Sequence, residues 1–451
     1  MNKLPTNPAS PSALPLVVQL SFAGSRFLFD AEAYPNINAD EFHAAVRQHL
    51  TESLNQLPQA LGLSGRHFCC GLSQLAIGAD MLFTQACQDL AWPQRVLLPQ
   101  QREDFLNAKS AGGKPDFDET ERQQALALFN SPHVIQEQVA SVAPDRHTRF
   151  HDINLELVRL SDVVVCLVNA ATDTGKPGGT HELVKDAHDR KRPMLVIRVG
   201  VTAEGKPEFN EEWHHLDNFT PPGLPHELAD CQPKLSGIPN AMDFCVAVKN
   251  YASDKAKQHQ ALFKYAALII IGTHAAATVL AVAGLKAGFL PWLLASECLL
   301  LLAGFVTHQY LHRAHATQVW AMARLVAELV RSVAALKGMS GHLAYLFYLP
   351  LPSSLRPLLR TLNVLHLRDA RALTAVSWRQ RLDEYIGYRF ENQHSGQIPY
   401  YKARLEHAKF WHTLASATFV VGSGLAIVAT LGELLETFHI VPIPTSGWER
   451  C

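Results

Sequence analysis

The sequence has little charge of either sign. Charged residues make up 18% of its 451 residues, and 40 basic side chains almost cancel 41 acidic ones. A duplex-binding protein needs clustered positive charge to neutralise phosphates, so this balance argues against nucleic acid as a partner. Hydrophobic residues reach 48%, which excludes a disordered chain. Little charge with ample apolar content indicates a chain that meets a membrane.

Several motifs of common enzyme and metal sites are missing. The sequence has no phosphate-binding GxxxxGK[ST] motif and no GxSxG nucleophile motif. The pair His181-Glu182 does not extend to HExxH, because Lys185 occupies the place of the second histidine. No CxxC pair occurs either, so we expect reduced, buried thiols, no metal and no cofactor. The eight cysteines are Cys69, Cys70, Cys87, Cys166, Cys231, Cys245, Cys298 and Cys451.

Strands alternate with helices in the first half of the chain. Apolar, β-branched runs predict strands at Leu16–Gly24, Arg66–Leu72, Arg95–Pro99, Ser161–Ala170 and Pro193–Val199. Helical spacing predicts helices over Asp40–Leu61, from Ile77 to about Leu90, and over Glu182–Asp189, with further helix-prone stretches in Gln100–Arg149. Strands joined through helices form a parallel sheet. We therefore expect an α/β, Rossmann-like parallel-sheet domain over residues 16–250, after a flexible tail of residues 1–15.

Glycines and polar residues follow the predicted strands, where ligands of parallel sheets bind. Glycine-rich turns let the backbone approach a phosphate, and a helix N-terminus adds free N–H groups. Arg26 would pair with the charge of a ligand, and Glu182 would bind a ribose hydroxyl. The predicted ligand-binding residues are Gly24, Ser25, Arg26, Gly71, Gly78, Asp80, Gly178, Gly179, Thr180 and Glu182.

Five stretches of this half carry a family resemblance: FAGSR, GLSQLAIGADMLFTQA, VLLP, FHDINLELVRLSDVVVCLVNA and GKPGGTHELVKDAHDRKRPMLVI. Together, over roughly residues 16–200, they resemble the SLOG family, Rossmann-like relatives of the cytokinin-activating LOG enzymes and of the DprA and TRPM cytosolic folds. SLOG domains serve as nucleotide pockets, including sensors in bacterial antiviral systems. The resemblance implies a sensor of a nucleotide-derived messenger, of the cyclic ADP-ribose type or a cyclic oligonucleotide.

One motif departs from the hydrolytic relatives. LOG hydrolases carry PGGxGTxxE, whereas this chain has PGGTHE at Pro177–Glu182. The glutamate is one position closer to the threonine, and one position on a helix turns a side chain by about 100°. The sequence therefore favours binding over hydrolysis. A membrane-anchored nucleotide N-glycosidase is the alternative, and a scaffold protein with a vestigial pocket is a second one.

Three long apolar runs follow in the second half. They are Tyr265–Leu285, Ala287–Leu311 and Phe410–Gly432. Only the second contains an acidic residue, Glu297. About 20 apolar residues suffice to cross a ~30 Å hydrocarbon core. We therefore predict an all-α transmembrane and cytosolic helical module, with a transmembrane hairpin at 255–311 and a third transmembrane helix at 410–435.

Positive charge is concentrated between these spans. Formal charges are about −7 over residues 1–264, 0 over 265–311, +8 over 312–409 and −2 over 410–451. Basic segments stay in the cytoplasm. We therefore place the N-terminal domain and a cytosolic helical region, 312–409, inside, and Cys451, in a tail of residues 436–451, outside. The expected location is the cell inner membrane, with several passes.

Two patterns near the spans leave alternatives open. A heptad-like seam predicts either a coiled coil or the face of a helix bundle; it consists of Met322, Val326, Leu329, Val333 and Leu336. Histidines at i, i+4 and i+7 predict a hydrogen-bonded cluster at a membrane edge, with a metal site as the less favoured alternative. They are His308, His312 and His315.

A second resemblance begins at Trp378. The block WRQRLDEYIGYRFENQ and YYKARLEHAKFW resembles the region after the hairpin in SLATT modules, two-helix membrane effectors found attached to SLOG domains. The two resemblances imply an antiphage effector whose copies form a homo-oligomer and disrupt the lipid bilayer, causing abortive infection. Glu297 would then either hold the hairpin together by a hydrogen bond or line a water-filled path.

Overall fold

The computed structural model describes residues 14–30, 32–63, 67–109, 113–171, 179–231, 238–287, 291–336, 343, 346, 349–372, 378–392 and 396–437. The chain divides into two compact units, Met1–Ala375 and Val376–Cys451. A flexible tail was expected over residues 1–15, but Leu14 is fully buried and therefore belongs to the folded unit. Residues 1–13 lie outside the described ranges.

A seven-stranded sheet forms the centre of the first unit. Its strands are β1 (Val17–Gly24), β2 (Phe68–Ser73), β3 (Gln94–Leu98), β4 (Val134–Val139), β5 (Val163–Asn169), β6 (Met194–Val201) and β7 (Pro207–His214). Their order is β4-β3-β2-β1-β5-β6-β7, with β1 to β6 parallel and β7 antiparallel to β6. The predicted α/β domain with a parallel sheet is confirmed. The order reverses at β1, and such a reversal opens a crevice at the carboxyl ends of the strands.

Helices cover both faces of this sheet. They are α1 (Ala39–Ala60), α2 (Ala79–Asp89), α3 (Arg102–Leu106), α4 (Glu119–Phe129), α5 (Arg146–Leu160) and α6 (Thr180–Asp189). At the start of helix α1, the Asn38 side chain accepts hydrogen bonds from the backbone amides of Asp40 and Glu41, as an N-cap residue does. Its apolar stripe, from Phe42 to Leu57, packs on one face, and Ile153 and Leu157 of α5 pack on the other.

Two strands of the sheet were not predicted. β4, with the sequence VIQEQV, lies in the segment that was predicted to be helix-prone, and β7 reads PEFNEEWH. Both are edge strands, and charged side chains on an edge strand block pairing with other chains. Because polar residues are frequent in both strands, neither has the continuous apolar run that predicts a central strand such as β5.

The cysteines of the first unit are structural. Cys69, Cys70, Cys87, Cys166, Cys231 and Cys245 are buried, free thiols, whereas Cys298 is exposed. Burial raises the pKa of the Cys70 thiol to about 12, so this thiol stays protonated and unreactive at neutral pH.

Helix α7 (Ala241–Ala287) runs without interruption for 47 residues. Its first part is buried at positions such as Phe244, Val248 and Ala252, where it packs with the helices that follow. Beyond Tyr265 many large apolar side chains are exposed. The boundary expected between residues 250 and 255 therefore falls inside a helix that joins the buried part to the apolar part.

Among the residues that the structure describes, two helices are long and apolar enough to cross a membrane. They are α7, over Ala241–Val282, and α8 (Pro291–Arg313). They are antiparallel neighbours and touch at Gly304, where an added Cβ atom would lie 2.8 Å from the Thr273 hydroxyl oxygen. A side chain larger than hydrogen at Gly304 would push the helices apart.

The helix is interrupted at His315, which has a left-handed backbone with φ 47°. Helix α8 ends at Arg313, so His315 does not share a helix face with His308 and His312, and the predicted i, i+4, i+7 arrangement is wrong. Helix α9 (Ala316–Ala335) then packs along α7. Its seam residues Val326 and Val333 are buried, which favours the bundle face over the coiled coil.

Helix α10 (Arg356–Ala372) packs against the sheet at the edge where the parallel strands begin. The Thr361 hydroxyl accepts a hydrogen bond from the Val17 amide at 2.9 Å. Arg360 pairs with Asp162, whose second carboxylate oxygen accepts the Gln19 amide at 2.9 Å. Helix α10 therefore holds the first residues of β1, at the end opposite to Gly24.

The second unit contains α11 (Trp378–Ile386), a π-helical turn (Gly387–Glu391) and α12 (Gln397–Thr437). The third predicted span lies within α12. Side chains over most of that span lie outside the described residues, and the two spans reported above are those found among the described residues. The predicted tail, 436–451, lies outside them from residue 438 onward.

Replacing the Thr361 hydroxyl tests the attachment of α10. We expect Thr361→Val to lower the free energy of unfolding by about 1–3 kcal/mol, because the buried Val17 amide loses its acceptor. Thermal unfolding of the detergent-solubilised chain measures the loss. Thr51→Val is the matched control, since that hydroxyl donates to the Arg47 carbonyl on its own helix. Equal midpoints for the two variants would contradict the assignment.

Candidate ligand-binding site

A cavity of about 440 Å³ lies at the carboxyl edge of the sheet, beside the reversal of strand order at β1. The loops after β1, β2 and β3 and the first turns of α2 and α5 surround it. Its lining residues are Gly24, Arg26, Ala76, Ile77, Asp80, Pro99, Gln100, Phe105, Ala108, Lys109, Asp116, Phe117, Arg146, Arg149 and Phe150.

Two glycines bring the first two loops into contact. A Cβ atom added to Gly24 would lie 2.2 Å from the Ala79 Cβ atom, and one added to Gly78 would lie 2.2 Å from the Arg26 carbonyl oxygen. Gly78 also has φ +85°, a backbone conformation that residues other than glycine rarely adopt. The Ala79 amide donates to the Ser25 carbonyl at 3.2 Å. The predicted glycines thus shape the cavity by permitting this approach.

Ser25 supports the cavity from behind. Its hydroxyl accepts a hydrogen bond from the Asn169 amide at 3.0 Å, and its own amide donates to the Leu167 carbonyl at 2.8 Å. Both partners belong to the end of β5. Ser25 therefore ties the loop after β1 to the neighbouring strand and fixes the position from which Arg26 extends.

Asp80 contributes a buried carboxyl group to the cavity wall. The residue is 5% exposed, and its Oδ1 atom has no hydrogen-bond partner. Burial raises the pKa of the Asp80 carboxyl well above its ordinary value, and a hydrogen bond from the Ala76 backbone offsets part of the rise. An unsatisfied buried oxygen is costly, so this atom is an open position for a hydrogen-bond donor.

Four cationic side chains line the same cavity: Arg26, Lys109, Arg146 and Arg149. Arg149 donates to the Gln100 side chain at 2.6 Å, while its buried Nε atom has no partner. The described part of the lining contains only two carboxyl groups, those of Asp80 and Asp116, for these four cations. The excess of positive charge suits an anionic ligand.

Three phenylalanines form an apolar wall. Phe105 and Phe117 meet edge to face with ring centroids 5.4 Å apart, and Phe150 lies under the Arg146 guanidinium at 5.5 Å. Aromatic faces and an arginine plane are suitable surfaces for a planar ring. The cavity thus combines cations, a hydrogen-bond acceptor and aromatic surface.

Sequence reasoning missed the lining residues of the cavity that lie between residues 105 and 150. Helix α5 begins after the cap residue Asp145, and Arg146 and Arg149 are one turn apart on it, a spacing that could have been read as two cations on one helix face. For Lys109 no sequence pattern gives a signal, because only the tertiary fold brings it to the cavity.

The other predicted site residues lie elsewhere. Gly71 was predicted to follow the second strand, but it lies inside β2, where an added Cβ would be 2.8 Å from the Cys87 sulfur; the close packing of α2 requires this glycine. Gly179 and Thr180 begin α6 and do not line the cavity. Gly178 lies outside the described residues.

Glu182 is engaged in the first turn of α6. Its Oε1 atom lies 2.9 Å from the Nδ1 atom of His151 on α5, and the residue does not belong to the cavity lining. Among the residues that the structure describes, no group of three or more His, Cys, Asp or Glu side chains could hold a metal ion.

No family model matches the chain, and no curated protein matches it significantly. The fold and the site define a chain with a mostly parallel α/β sheet, a cationic cavity where the strand order reverses, and a helical region with two helices apolar enough to cross a membrane.

The raised pKa of Asp80 predicts a stability that depends on pH. A carboxyl whose pKa is higher in the folded state stabilises the protein below its unfolded pKa, about 3.9, and loses this contribution as pH rises through the folded pKa. Asp80→Asn should therefore raise the unfolding midpoint at pH 8, by ~2–4 °C for each kcal/mol recovered, and change it little at pH 4.

Thermal unfolding of the detergent-solubilised chain between pH 4 and pH 8 measures this difference. Asp104→Asn is the control, because Asp104 is exposed in the first turn of α3. A gain that is the same at every pH would contradict the ionisation argument.

Proposed function

We propose that the chain is a membrane-anchored sensor and effector whose N-terminal α/β unit, a Rossmann-like domain of the SLOG type, binds a nucleotide-derived messenger. The observation that carries this proposal is the cavity at the strand-order reversal, whose lining combines four cationic side chains with a buried carboxyl oxygen that has no partner. Ligands of doubly wound sheets bind at this place in the fold.

The three kinds of surface in the cavity match the three parts of a nucleotide. Guanidinium groups bind phosphate oxygens, a carboxyl oxygen accepts a hydrogen bond from a ribose hydroxyl or an amino group, and the phenylalanine wall offers a face to the base. The volume of about 440 Å³ lies within the range of small-molecule sites. A messenger of the cyclic ADP-ribose type or a cyclic oligonucleotide fits this chemistry.

Binding is favoured over hydrolysis by the position of Glu182. The acid that would serve an N-glycosidase contacts His151 and lies outside the cavity lining. Of the two carboxyl groups in the lining, Asp80 is buried and Asp116 is paired with Arg146.

The apolar helices support an anchor in the bilayer, in several passes of a bacterial inner membrane. From Tyr265 to Lys286 helix α7 rises about 32 Å at 1.5 Å per residue, which matches the hydrocarbon core. Exposed aromatic residues lie near both ends, Tyr265 and Tyr310 at one and Trp292 at the other, as in the aromatic belts of membrane proteins. The third span would lie in α12, with residues 312–409 in the cytoplasm.

The effector step would be assembly of several copies in the membrane and loss of its integrity, which limits phage spread. Single helix pairs leave most of their surface to lipid, so the hairpin offers its exposed apolar side chains to neighbouring copies as well as to lipid. Glu297 is half-buried and shares a helix face with Leu293 and Gly304, by spacings of four and seven residues. Gly304 contacts α7, so the geometry favours a packing role for Glu297.

Ligand binding is the direct test. Calorimetry on the full chain in detergent, with ADP-ribose as the first probe and cyclic dinucleotides as further probes, should detect binding without release of free base. Arg26→Ala should weaken the affinity by about tenfold or more, because charge-assisted hydrogen bonds to phosphate are lost.

Arg47→Ala is the matched control, since Arg47 pairs with Asp89 on the exposed surface between α1 and α2. Absence of binding for every probe would refute the sensor. Release of free base would establish the N-glycosidase instead.

Glu297→Gln separates packing from conduction. The amide keeps the hydrogen-bonding capacity and removes the charge, so we expect cells with equal membrane levels of wild type and variant to depolarise equally fast after phage infection. Ser296→Ala is the control, because that hydroxyl donates to the Trp292 carbonyl on the same helix. Loss of depolarisation in the glutamine variant alone would show that the charge lines the conducting path.

A further inference from the structure

A buried carboxylate already occupies the cationic end of the cavity. The Asp116 side chain is 9% exposed and lies between two arginines: its Oδ2 atom is 2.5 Å from Nη2 of Arg146, and its Oδ1 atom is 3.6 Å from Nη1 of Arg26. Arg26 also donates to the Asp116 backbone carbonyl. The side chains of Arg26 and Arg146 are 43% and 45% exposed, so they remain accessible to a molecule that enters from solvent.

Backbone contacts hold Asp116 at the wall of the cavity. The Asp116 amide donates to the Ala108 carbonyl at 2.8 Å, and Lys109 and Pro115 form an isolated antiparallel bridge. Arg146 also donates to the Lys109 carbonyl at 3.1 Å. Both arginines thus contact the backbone and the carboxylate of one short stretch of chain, so Asp116 already takes part of the hydrogen-bonding capacity that a ligand would use.

A carboxylate between two guanidinium groups has the same arrangement as a phosphate between them. Both anions offer at least two oxygens that accept hydrogen bonds from guanidinium groups, and arginine can bind either anion bidentately. A second anion at that place would lie within a few ångströms of the carboxylate and would be repelled by it. A phosphate that binds there must therefore displace the Asp116 carboxylate.

We propose that Asp116 is an internal substitute for a phosphate group, and that a phosphate-bearing ligand takes Arg26 and Arg146 from it. The inference rests on the proposed function of the cavity. It adds that the ligand class is phosphorylated, that neutral nucleosides do not compete for the arginines, and that binding moves the segment carrying Asp116. Phe117 follows directly and packs on Phe105, so the movement reaches the aromatic wall.

Asp116→Asn tests the competition. The variant keeps the size and one acceptor oxygen of the side chain but removes the competing charge, so the full chain in detergent should bind ADP-ribose roughly tenfold more tightly than wild type. Its affinity for adenosine should stay unchanged. Asp118→Asn is the matched control, because it removes an equal charge two residues further on, at the N-cap of α4 outside the cavity lining.

Thermal unfolding supplies a second measurement that does not depend on calorimetry. Ligand-free Asp116→Asn should unfold at a lower temperature than wild type, because two guanidinium groups lose their anion, and ADP-ribose should raise its midpoint by more than it raises that of wild type. Equal or weaker binding of ADP-ribose by the variant would overturn the proposal and leave the sensor function standing. If neither protein binds ADP-ribose or inorganic pyrophosphate, the phosphate site and the proposed function both fail.

Discussion

The contact between the loop after β1 and the turn before α2 fixes the geometry on which the cavity depends. It is possible because neither Gly24 nor Gly78 carries a Cβ atom, and an added one would lie 2.2 Å from its neighbour at each position. The hydrogen bond from Ala79 to Ser25 closes the contact. It places Arg26 and Asp80 on adjoining walls, one charged and exposed, the other buried and without a partner.

Strand β1 connects the cavity to the helices that follow the sheet. Its last residue is Gly24, at the cavity, and the amide of its first residue, Val17, donates to Thr361 on α10. Helix α10 also packs on α7, which continues into the apolar hairpin. A ligand that shifts the loop after β1 therefore acts on an element whose other end is attached to the helical region.

Sequence reasoning identifies glycines that a local constraint demands, although it expected Gly24 and Gly78 to approach a phosphate and the structure places them against the neighbouring loop. Gly24 and Gly78 stand between an apolar run and a helix, and that position has few explanations other than a close approach. It fails where tertiary packing decides. Gly71 was assigned to the ligand site although it falls within the strand predicted at Arg66–Leu72, and the ladders with β1 and β3 keep it inside β2. Asp116 and its arginine partners come together from segments 90 and 30 residues apart, and no local pattern shows such a cluster.

The unbroken course of α7 restricts how the length of this protein can change in evolution. From Ala241 to Ala277 the helix extends about 54 Å, and each inserted residue would rotate everything beyond it by about 100°. One extra residue would turn the side that meets α8 toward solvent or lipid. Seven extra residues would restore the orientation to within about 20°. Insertions or deletions within α7 of homologous chains should therefore come in multiples of seven residues.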